Sequence, residues 1–309
     1  MPMIRINAEG PRMVPGKGEL LPCLMTAARG RGPIIVMIHG YKYQPGHPQH
    51  CPHRKILSLH PNSSCVRAQS WPRRLGFGTG HAAEGLGVAF GWDARGALWS
   101  AQARAKAAGS ALAELIGRLH RIAPGRPLHV IAHSMGTEVA LEALSQVAPG
   151  SVGRVVSMTG ACYRSRAEGA LDTGAGRKVE FFNIVSREND PFDFLFERLI
   201  APGARGDRSI GHGLDAPNAV TIQIDCPDTL GHLEALGHPL PGPAHRVCHW
   251  SSYTRPGILR LYNDLLRQPS RFPLALMRRG VPQETDPRWS RLLVRPALPV
   301  TLPFLQNAS

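Results

Sequence analysis

Short apolar runs separated by polar and helical segments predict a series of buried strands. Residues 33–38, Pro-Ile-Ile-Val-Met-Ile, form a continuous apolar run, which is typical of a strand covered on both faces. Residues 3–25 predict one or two further strands, with a turn near Gly16-Lys17-Gly18. Similar apolar runs, each of strand length, occupy residues 86–92, 128–132, 153–160, 178–185 and 219–224.

Helical periodicity fills the stretches between these runs. Residues 97–121 are rich in alanine and place leucines and an isoleucine on one face, and Pro124-Gly125 ends the helix. Residues 257–267 predict a terminal helix. Strands that alternate with helices predict an α/β fold, with a mainly parallel central sheet and helices on both faces. We expect residues 1–267 to form one domain, and residues 268–309 a Pro- and Arg-rich C-terminal extension that wraps it or is partly loose.

Residues 44–86 differ from the rest of the chain because they are rich in Pro, Gly, His and Arg. We interpret them as an insertion that lies over the strand ends and shapes a binding site. Tyr41, Trp71 and Phe77 are candidate pocket walls, although ordinary core positions are an equally good interpretation.

The same segment contains potential zinc ligands, but their spacing does not favour a metal site. Zinc requires several nitrogen or sulfur ligands close together. Prolines interrupt the segment, and no second ligand pair follows at a matching distance. We therefore expect no metal, and interpret the histidines as surface residues of a loop. The potential ligands are His47, His50, Cys51 and His53.

Composition places the 309-residue chain among globular proteins, with 43% hydrophobic and 19% charged residues. The formal net charge of +14 suggests affinity for nucleic acid, anionic lipid or an acidic substrate. The charges are scattered, without a dense basic block or interleaved aromatic residues, so we expect no nucleic-acid partner. No apolar run approaches the length of a membrane span.

Cellular location is predicted from the N-terminus and the cysteines. The first residues, Met-Pro-Met-Ile-Arg-Ile, lack the basic region and long apolar core of a signal peptide, so we expect a cytoplasmic protein. The six cysteines do not form a disulfide framework, and reduced thiols are expected in that compartment.

The most informative stretch is residues 128–142, where an apolar run turns sharply at His133-Ser134-Met135-Gly136 and continues as an amphipathic helix. A serine at the tip of a strand–turn–helix is typical of a nucleophile elbow. Small residues flank such a turn because strand and helix pass close together. Gly136 supplies one of them, whereas Ala132 stands where the G-x-S-x-G pattern has glycine. The alternative interpretation is that Ser134 only caps the helix.

Together these features resemble the α/β-hydrolase superfamily. The resemblance covers roughly residues 3–267 and rests on the strand that ends in His39-Gly40, the elbow, an acid after a later strand and a histidine after the last strand. More narrowly, the chain is similar to a bacterial group of uncharacterised α/β-hydrolases, which implies no substrate.

The resemblance implies roles for particular residues. Ser134 is the expected nucleophile, His249 the base and Asp190 the acid that orients the base. We prefer His249 to the other histidines of its loop because the terminal helix lies close by. Asp193 and then Asp225 are the alternatives for the acid. The backbone amides of Met135 and Tyr41 are the expected oxyanion hole, and no cofactor is implied.

These roles predict a serine hydrolase that cleaves a carboxylic ester through an acyl-enzyme. The same residues would serve a thioesterase, an amidase or an acyltransferase. A second hypothesis is a binding module without catalysis, motivated by Ala132 and the large insertion. The expected substrate is a small ester, and the positive charge suggests that anionic esters bind better.

Overall fold

The protein is described by a computed structural model that covers residues 3–15, 24–25, 30–62 and 69–293. Within these residues, eight strands form one sheet in the order β2-β1-β4-β3-β5-β6-β7-β8. Only the β1–β2 pair is antiparallel, which confirms the predicted mainly parallel sheet. The strands are β1 Met3–Glu9, β2 Arg12–Pro15, β3 Ile34–Ile38, β4 Leu86–Gly91, β5 Leu128–His133, β6 Arg154–Met158, β7 Glu180–Val185 and β8 Ala219–Gln223.

Helices cover both faces of the sheet, as predicted for an α/β fold. No helix in the described part of the chain is long and apolar enough to cross a membrane. The helices are α1 Trp71–Arg74, α2 Leu98–Ile122, α3 Gly136–Leu144, α4 Arg164–Leu171, α5 Asp190–Leu199, α6 Pro227–Ala235, α7 Ser251–Thr254, α8 Ile258–Arg267, α9 Leu274–Arg279 and α10 Ser290–Leu293. Short 3₁₀ turns are formed by Pro52–Arg54, Gly176–Lys178, Arg187–Asn189 and Ile210–His212.

The continuous apolar runs are explained by burial of both faces of the central strands. In β3, Val36 and Ile38 pack against α2 and α3, whereas Ile35 and Met37 pack on the opposite side against α1 and α8. A strand buried on both faces needs apolar side chains at every position rather than at alternate ones. The strands therefore form a rigid platform, and their carboxyl ends lie along one edge.

The N-terminal hairpin turns earlier than the sequence predicted. β1 ends at Glu9 and β2 begins at Arg12, so the turn consists of Gly10 and Pro11, with Gly10 at a φ of 61°. A left-handed φ favours glycine, which suits this position for a tight turn. The predicted turn at residues 16–18 lies outside the described residues.

The insertion contributes more to the core than expected. Trp71 and Phe77 are buried among the side chains of α8 rather than forming pocket walls. His53 is also buried, and its Nε2 lies 2.7 Å from Asn7 Oδ1, so it is not a surface histidine. The described residues contain no group of three or more His, Cys, Asp or Glu side chains that could hold a metal ion. Apolar contacts therefore fix much of the insertion to the sheet.

The described part of the C-terminal extension packs on the domain. Phe272 and Met277 are buried in the core on the α8 side of the sheet. The buried Arg154 guanidinium donates to the carbonyl oxygens of Pro269 and Phe272, at 3.1 and 2.8 Å. These contacts attach residues 268–293 to the edge of the sheet, while residues 294–309 lie outside the described part.

Candidate active site

Ser134 lies in a strained turn between β5 and α3. Its φ is 53°, a left-handed conformation that costs a non-glycine residue about 1–2 kcal/mol. The turn is held by two backbone hydrogen bonds, from the Ser134 amide to Met158 O at 2.9 Å and from the Ala161 amide to Ser134 O at 3.0 Å. Strain of this kind persists only where the surrounding structure enforces it. The sequence-predicted elbow is therefore present as a strand–turn–helix.

Two glycines allow the elbow to pack closely. A Cβ on Gly136 would lie 2.6 Å from the carbonyl oxygen of His39, and a Cβ on Gly40 would lie 2.7 Å from Ser134 Cβ. Both distances are shorter than real carbon contacts, so only glycine fits without movement. Ala132, in contrast, is fully buried within β5. The departure from G-x-S-x-G is therefore accommodated at position 132, where the extra methyl group is part of the packed core.

The structure brings Ser134 and His249 together. His249 Nε2 lies 3.0 Å from Ser134 Oγ, and His249 Nδ1 lies 2.6 Å from Asn189 Oδ1. An amide oxygen is only an acceptor, so with this amide orientation Nδ1 carries the proton and donates it. Nε2 is then free to accept from the serine hydroxyl. The arrangement Ser134–His249–Asn189 thus places an unprotonated imidazole nitrogen against a hydroxyl group.

The His249 ring is held between two aromatic rings. Phe192 stacks on one side with ring centroids 4.7 Å apart, and the ring of His133 lies at 4.7 Å on another side. Desolvation lowers the pKa of His249 well below its usual range, and the nearby His133 and Lys42 lower it further. The imidazole is therefore neutral at pH 7 and able to accept a proton.

The backbone of the His249 loop is also fixed. His133 Nε2 donates to the carbonyl oxygen of His249 at 3.1 Å, and burial lowers the pKa of His133 to about 4. The Cys248 amide donates to Glu188 O at 2.8 Å, and the Glu188 carboxylate is paired with the buried Arg255 at 2.6 Å. The residues around Asn189 and His249 therefore hold each other in place.

Asp190, the sequence-predicted acid, does not contact His249. Its Oδ2 accepts a hydrogen bond from the Trp289 amide at 2.6 Å, and its Oδ1 lies 3.3 Å from the Arg187 guanidinium. Asp190 is the first residue of α5, whereas Asn189 precedes the helix and faces the cavity. The side chain at His249 Nδ1 is thus the neutral amide of Asn189, one residue before the expected carboxylate.

The two alternative acids do not hydrogen-bond to His249 either. Asp193 lines the same cavity but is buried, and desolvation raises the pKa of its carboxyl group to about 7, against the opposing charge of Arg187. Asp225 accepts hydrogen bonds from the Arg187 amide at 3.0 and 3.2 Å. Both carboxylates lie near the charge of Arg187, and Asp193 also shares a hydrogen bond with the Asn189 side chain.

The expected oxyanion-hole amides both belong to residues that line the cavity. Within the described residues, neither the Met135 amide nor the Tyr41 amide is hydrogen-bonded to a protein acceptor. The loop that carries Tyr41 is fixed by His39, whose Nδ1 donates to Gly40 O at 2.9 Å while its Nε2 accepts from the Trp92 amide at 3.1 Å. Both amides therefore remain available as donors to a ligand, a requirement for binding an oxyanion.

A cavity of about 620 Å³ lies over Ser134 and His249. Ser134 itself is only 4% exposed, so a reacting group must enter the cavity to reach its hydroxyl. A volume of this size suits a small organic ligand. Apart from the residues already described, the lining is largely apolar and aromatic: Tyr43, Leu98, Trp99, Thr159, Ala161, Leu195, Phe196, Leu199, Trp250 and Tyr253, with Lys42, His50 and Lys55 as its basic members.

Residues 24–157 match the family described as alpha/beta hydrolase of unknown function (DUF900). Together with the mainly parallel sheet and the elbow, this match shows an α/β-hydrolase fold. The match includes the elbow but ends before Asn189 and His249. A solved structure to which it is similar is Aspergillus fumigatus lipase B, with 14% identity, 80% of this chain and 56% of that chain covered, and a TM-score of 0.37. No curated protein is significantly similar to the chain.

Proposed function

We propose that this α/β-hydrolase cleaves carboxylic esters through an acyl-enzyme formed on Ser134. The observation that carries the proposal is the 3.0 Å separation of His249 Nε2 and Ser134 Oγ at the tip of a nucleophile elbow. A serine hydroxyl is a weak nucleophile at neutral pH unless a base accepts its proton. The neutral imidazole of His249 meets that requirement.

In the proposed acylation step, Ser134 Oγ forms a bond to the ester carbonyl carbon while its proton moves to His249 Nε2. The tetrahedral intermediate then collapses, the ester C–O bond breaks, and the leaving alkoxide takes the proton from Nε2. In deacylation a water molecule repeats the sequence, so that His249 accepts the water proton and returns it to Ser134. The products are a carboxylic acid and an alcohol.

Asn189 has a positioning role in this proposal. Its Oδ1 accepts from His249 Nδ1 at 2.6 Å and thereby favours the tautomer that leaves Nε2 free. An asparagine serves in this place in Cys-His-Asn hydrolases. Unlike a carboxylate, the amide does not offer a full negative charge to the imidazolium that forms in the transition state. The proposed triad is therefore Ser134, His249 and Asn189, in place of the sequence prediction with Asp190.

The negative charge of the tetrahedral intermediate needs preorganised donors. The amides of Met135 and Tyr41 are the proposed donors, because both belong to lining residues and neither has an acceptor among the residues that the structure describes. The same machinery would cleave thioesters or amides, or transfer the acyl group to another acceptor. We favour esters over amides because an alkoxide is a better leaving group than an amide nitrogen.

The test is hydrolysis of p-nitrophenyl esters, from acetate to octanoate, by the wild type and by Ser134→Ala. We expect the substitution to lower kcat by about 10³-fold or more, because it removes the nucleophile. Ser110→Ala is the matched control, since that hydroxyl lies on α2 and contacts only Gln146. Undiminished hydrolysis by Ser134→Ala, or no hydrolysis of any ester by the folded wild type, would contradict the proposal.

We also propose that the reaction takes place in the cytoplasm. The cysteines within the described residues, Cys51, Cys162, Cys226 and Cys248, are all unpaired. Unpaired thiols are the usual state of cysteines in a reducing compartment. Fractionation of cells that express the chain would test this location.

A further inference from the structure

One wall of the cavity over Ser134 is basic. Lys42 and Lys55 both line it, and among the described residues neither ammonium group has an ion pair or a hydrogen bond. His50 lies close to both lysines: besides desolvation, the charges of Arg95, Lys55 and Lys42 lower the pKa of its imidazole. Uncompensated positive charges that converge on a cavity attract anionic ligands. We refer to Lys42, His50 and Lys55 as the basic wall.

No carboxylate in the cavity neutralises this wall. Of the described residues that line the cavity, Asp193 alone carries a carboxyl group. It is buried beside Arg187, and desolvation raises its pKa to about 7. Its negative charge is therefore partly lost at neutral pH, and what remains faces the charge of Arg187 and a hydrogen bond with the Asn189 side chain. The cavity as a whole retains the positive charge of the two lysines.

The backbone holds Lys42 in an unusual conformation at this position. Its φ is 74°, a left-handed value that glycine adopts with less strain than lysine. The Lys42 amide donates to Ala94 O at 2.8 Å, and the Arg95 guanidinium donates to Lys42 O at 3.3 Å. These contacts fix the residue next to Tyr41, so the ammonium group is tethered close to the proposed oxyanion hole.

A second part of the lining is apolar and partly open to solvent. It is formed by the start of α2 and one face of α5, with Leu98 and Phe196 packed together beneath the surface. Trp99, Leu195 and Leu199 also line the cavity, yet they are 62%, 52% and 50% exposed. Large apolar side chains that remain exposed around a site commonly bind an apolar ligand. We refer to these five residues as the apolar wall.

We infer that the substrate is an anionic amphiphile: an ester whose hydrocarbon chain lies on the apolar wall and whose carboxylate or phosphate group is bound by Lys42 and Lys55. The inference rests on the proposed function of Ser134. It goes beyond that function by specifying two binding contacts that a neutral short-chain ester does not use. Both contacts lie in the cavity that contains the reacting hydroxyl.

The test separates binding from catalysis by using the Ser134→Ala protein and ligands that contain no carboxylic ester. Isothermal titration calorimetry measures the affinity for octyl phosphate, octanol and inorganic phosphate. The measurement is repeated after adding Lys42→Gln and Lys55→Gln together. The matched control adds Lys106→Gln and Lys178→Gln, which remove the same charge from exposed lysines outside the cavity.

We expect octyl phosphate to bind at least about tenfold more tightly than octanol, with a preference that shrinks at about 1 M salt as screening shortens the range of the lysine charges. Inorganic phosphate is expected to bind more weakly than octyl phosphate because it does not contact the apolar wall. The Lys42/Lys55 variant should lose about tenfold or more in octyl phosphate affinity, and the control pair should lose little.

Equal affinities for octyl phosphate and octanol, or equal losses in the two double variants, would overturn the inference. Inorganic phosphate that binds as tightly as octyl phosphate would also overturn it, because the site would then be a simple anion site. These outcomes are independent of turnover. Esterase activity that persists in Ser134→Ala would reject the proposed function and leave the binding result intact.

Discussion

At the scale of single residues, the charge of the side chain that meets His249 Nδ1 decides how the imidazole titrates. A carboxylate at this distance would stabilise the imidazolium and raise its pKa by about 1–3 units. Asn189 accepts the hydrogen bond without supplying that charge. Desolvation, His133 and Lys42 all lower the pKa of His249, and no acid in contact opposes them. The base therefore stays unprotonated to lower pH than in a Ser-His-Asp triad.

This argument predicts how Asn189→Asp changes the pH profile. The pKa of His249 is depressed, so we expect wild-type kcat/KM to be lost only when pH falls well below 6.5, the ordinary value for histidine. A carboxylate at position 189 should move this acidic limb upward by about one unit or more. The measurement is kcat/KM for a p-nitrophenyl ester as a function of pH. An unchanged acidic limb would contradict the role of Asn189.

Asp190→Asn is the matched control for that experiment. We expect it to leave kcat and the acidic limb almost unchanged, because Asp190 hydrogen-bonds to the Trp289 amide and not to His249. Loss of its buried ion pair with Arg187, at 3.3 Å, should lower the free energy of unfolding by about 3 kcal/mol. If this variant abolished hydrolysis while remaining folded, Asp190 would be the acid after all.

The sequence predicted that Asp190 meets His249, whereas the side chain at His249 Nδ1 is that of the preceding residue, Asn189. The position after β7 follows from the strand pattern, but which side chain faces His249 depends on where the 3₁₀ turn Arg187–Asn189 gives way to α5. Successive side chains of a helix point about 100° apart, so a shift of one residue turns a side chain from the cavity toward the core. Asp190 was predicted because a carboxylate is the usual partner of a catalytic histidine. No feature of the sequence indicated the adjacent Asn189.

At the scale of elements, the elbow packs β5 and α3 closely against the loop that follows β3. α3 begins at Gly136, directly beneath the loop that follows β3. That contact holds the start of the helix against His39 O, and with it the Met135 amide and the strained Ser134. The geometry of the proposed nucleophile thus depends on the absence of a side chain at Gly136.

Gly136→Ala should therefore damage both activity and stability. The new Cβ would lie 2.6 Å from a backbone oxygen, which moves less easily than a flexible side chain. We expect a loss of about 1–3 kcal/mol in the free energy of unfolding, together with a fall in kcat of about tenfold or more. Urea unfolding and ester hydrolysis provide the two measurements.

Gly231→Ala is the control for this substitution. Gly231 lies within α6, and a Cβ there has no neighbouring atom within 4 Å. Alanine is favoured over glycine in a helix by about 1 kcal/mol, so this variant should be as stable as the wild type or more stable, with unchanged activity. Equal effects of the two substitutions would show that close packing at the elbow is not what matters.

The elements were more predictable than the contacts between them. The apolar runs predicted the central strands because burial on both faces leaves a strong pattern, and α2 followed from its apolar face. The pattern does not indicate which partner covers a segment. Trp71 and Phe77 therefore were plausible pocket walls from the sequence, whereas in the fold they pack among the side chains of α8.

At the scale of the whole molecule, several histidines are buried, and burial makes them harder to protonate than in the unfolded chain. Desolvation by burial lowers the pKa of His39 to about 3, and of His53, His129 and His133 to about 4. In the unfolded chain the same groups titrate near 6.5. The unfolded state therefore binds more protons as pH falls from 6.5 toward 4, and the folded state loses stability over that interval.

We predict a steep acid-induced loss of stability that His129→Leu makes less steep. Each histidine whose pKa is lowered in the folded state reduces the free energy of unfolding by about 1.4 kcal/mol per pH unit below its unfolded pKa. Among the described residues neither ring nitrogen of His129 has a hydrogen-bond partner, so leucine removes the titration without breaking any of the hydrogen bonds seen there. Urea unfolding at several pH values between 7 and about 5 gives the slope of the free energy of unfolding against pH for the wild type and for His129→Leu. Parallel slopes in the two proteins would contradict this explanation.

The most direct test of the central claim is covalent labelling with a fluorophosphonate, read by intact mass and peptide mapping. The label forms a bond to an activated serine oxygen and releases fluoride, so it reports the nucleophile without any assumption about the natural substrate. We predict a single adduct on the peptide that contains Ser134, and none in Ser134→Ala. Labelling of another serine, labelling that persists in Ser134→Ala, or a folded wild type that never reacts would contradict the account.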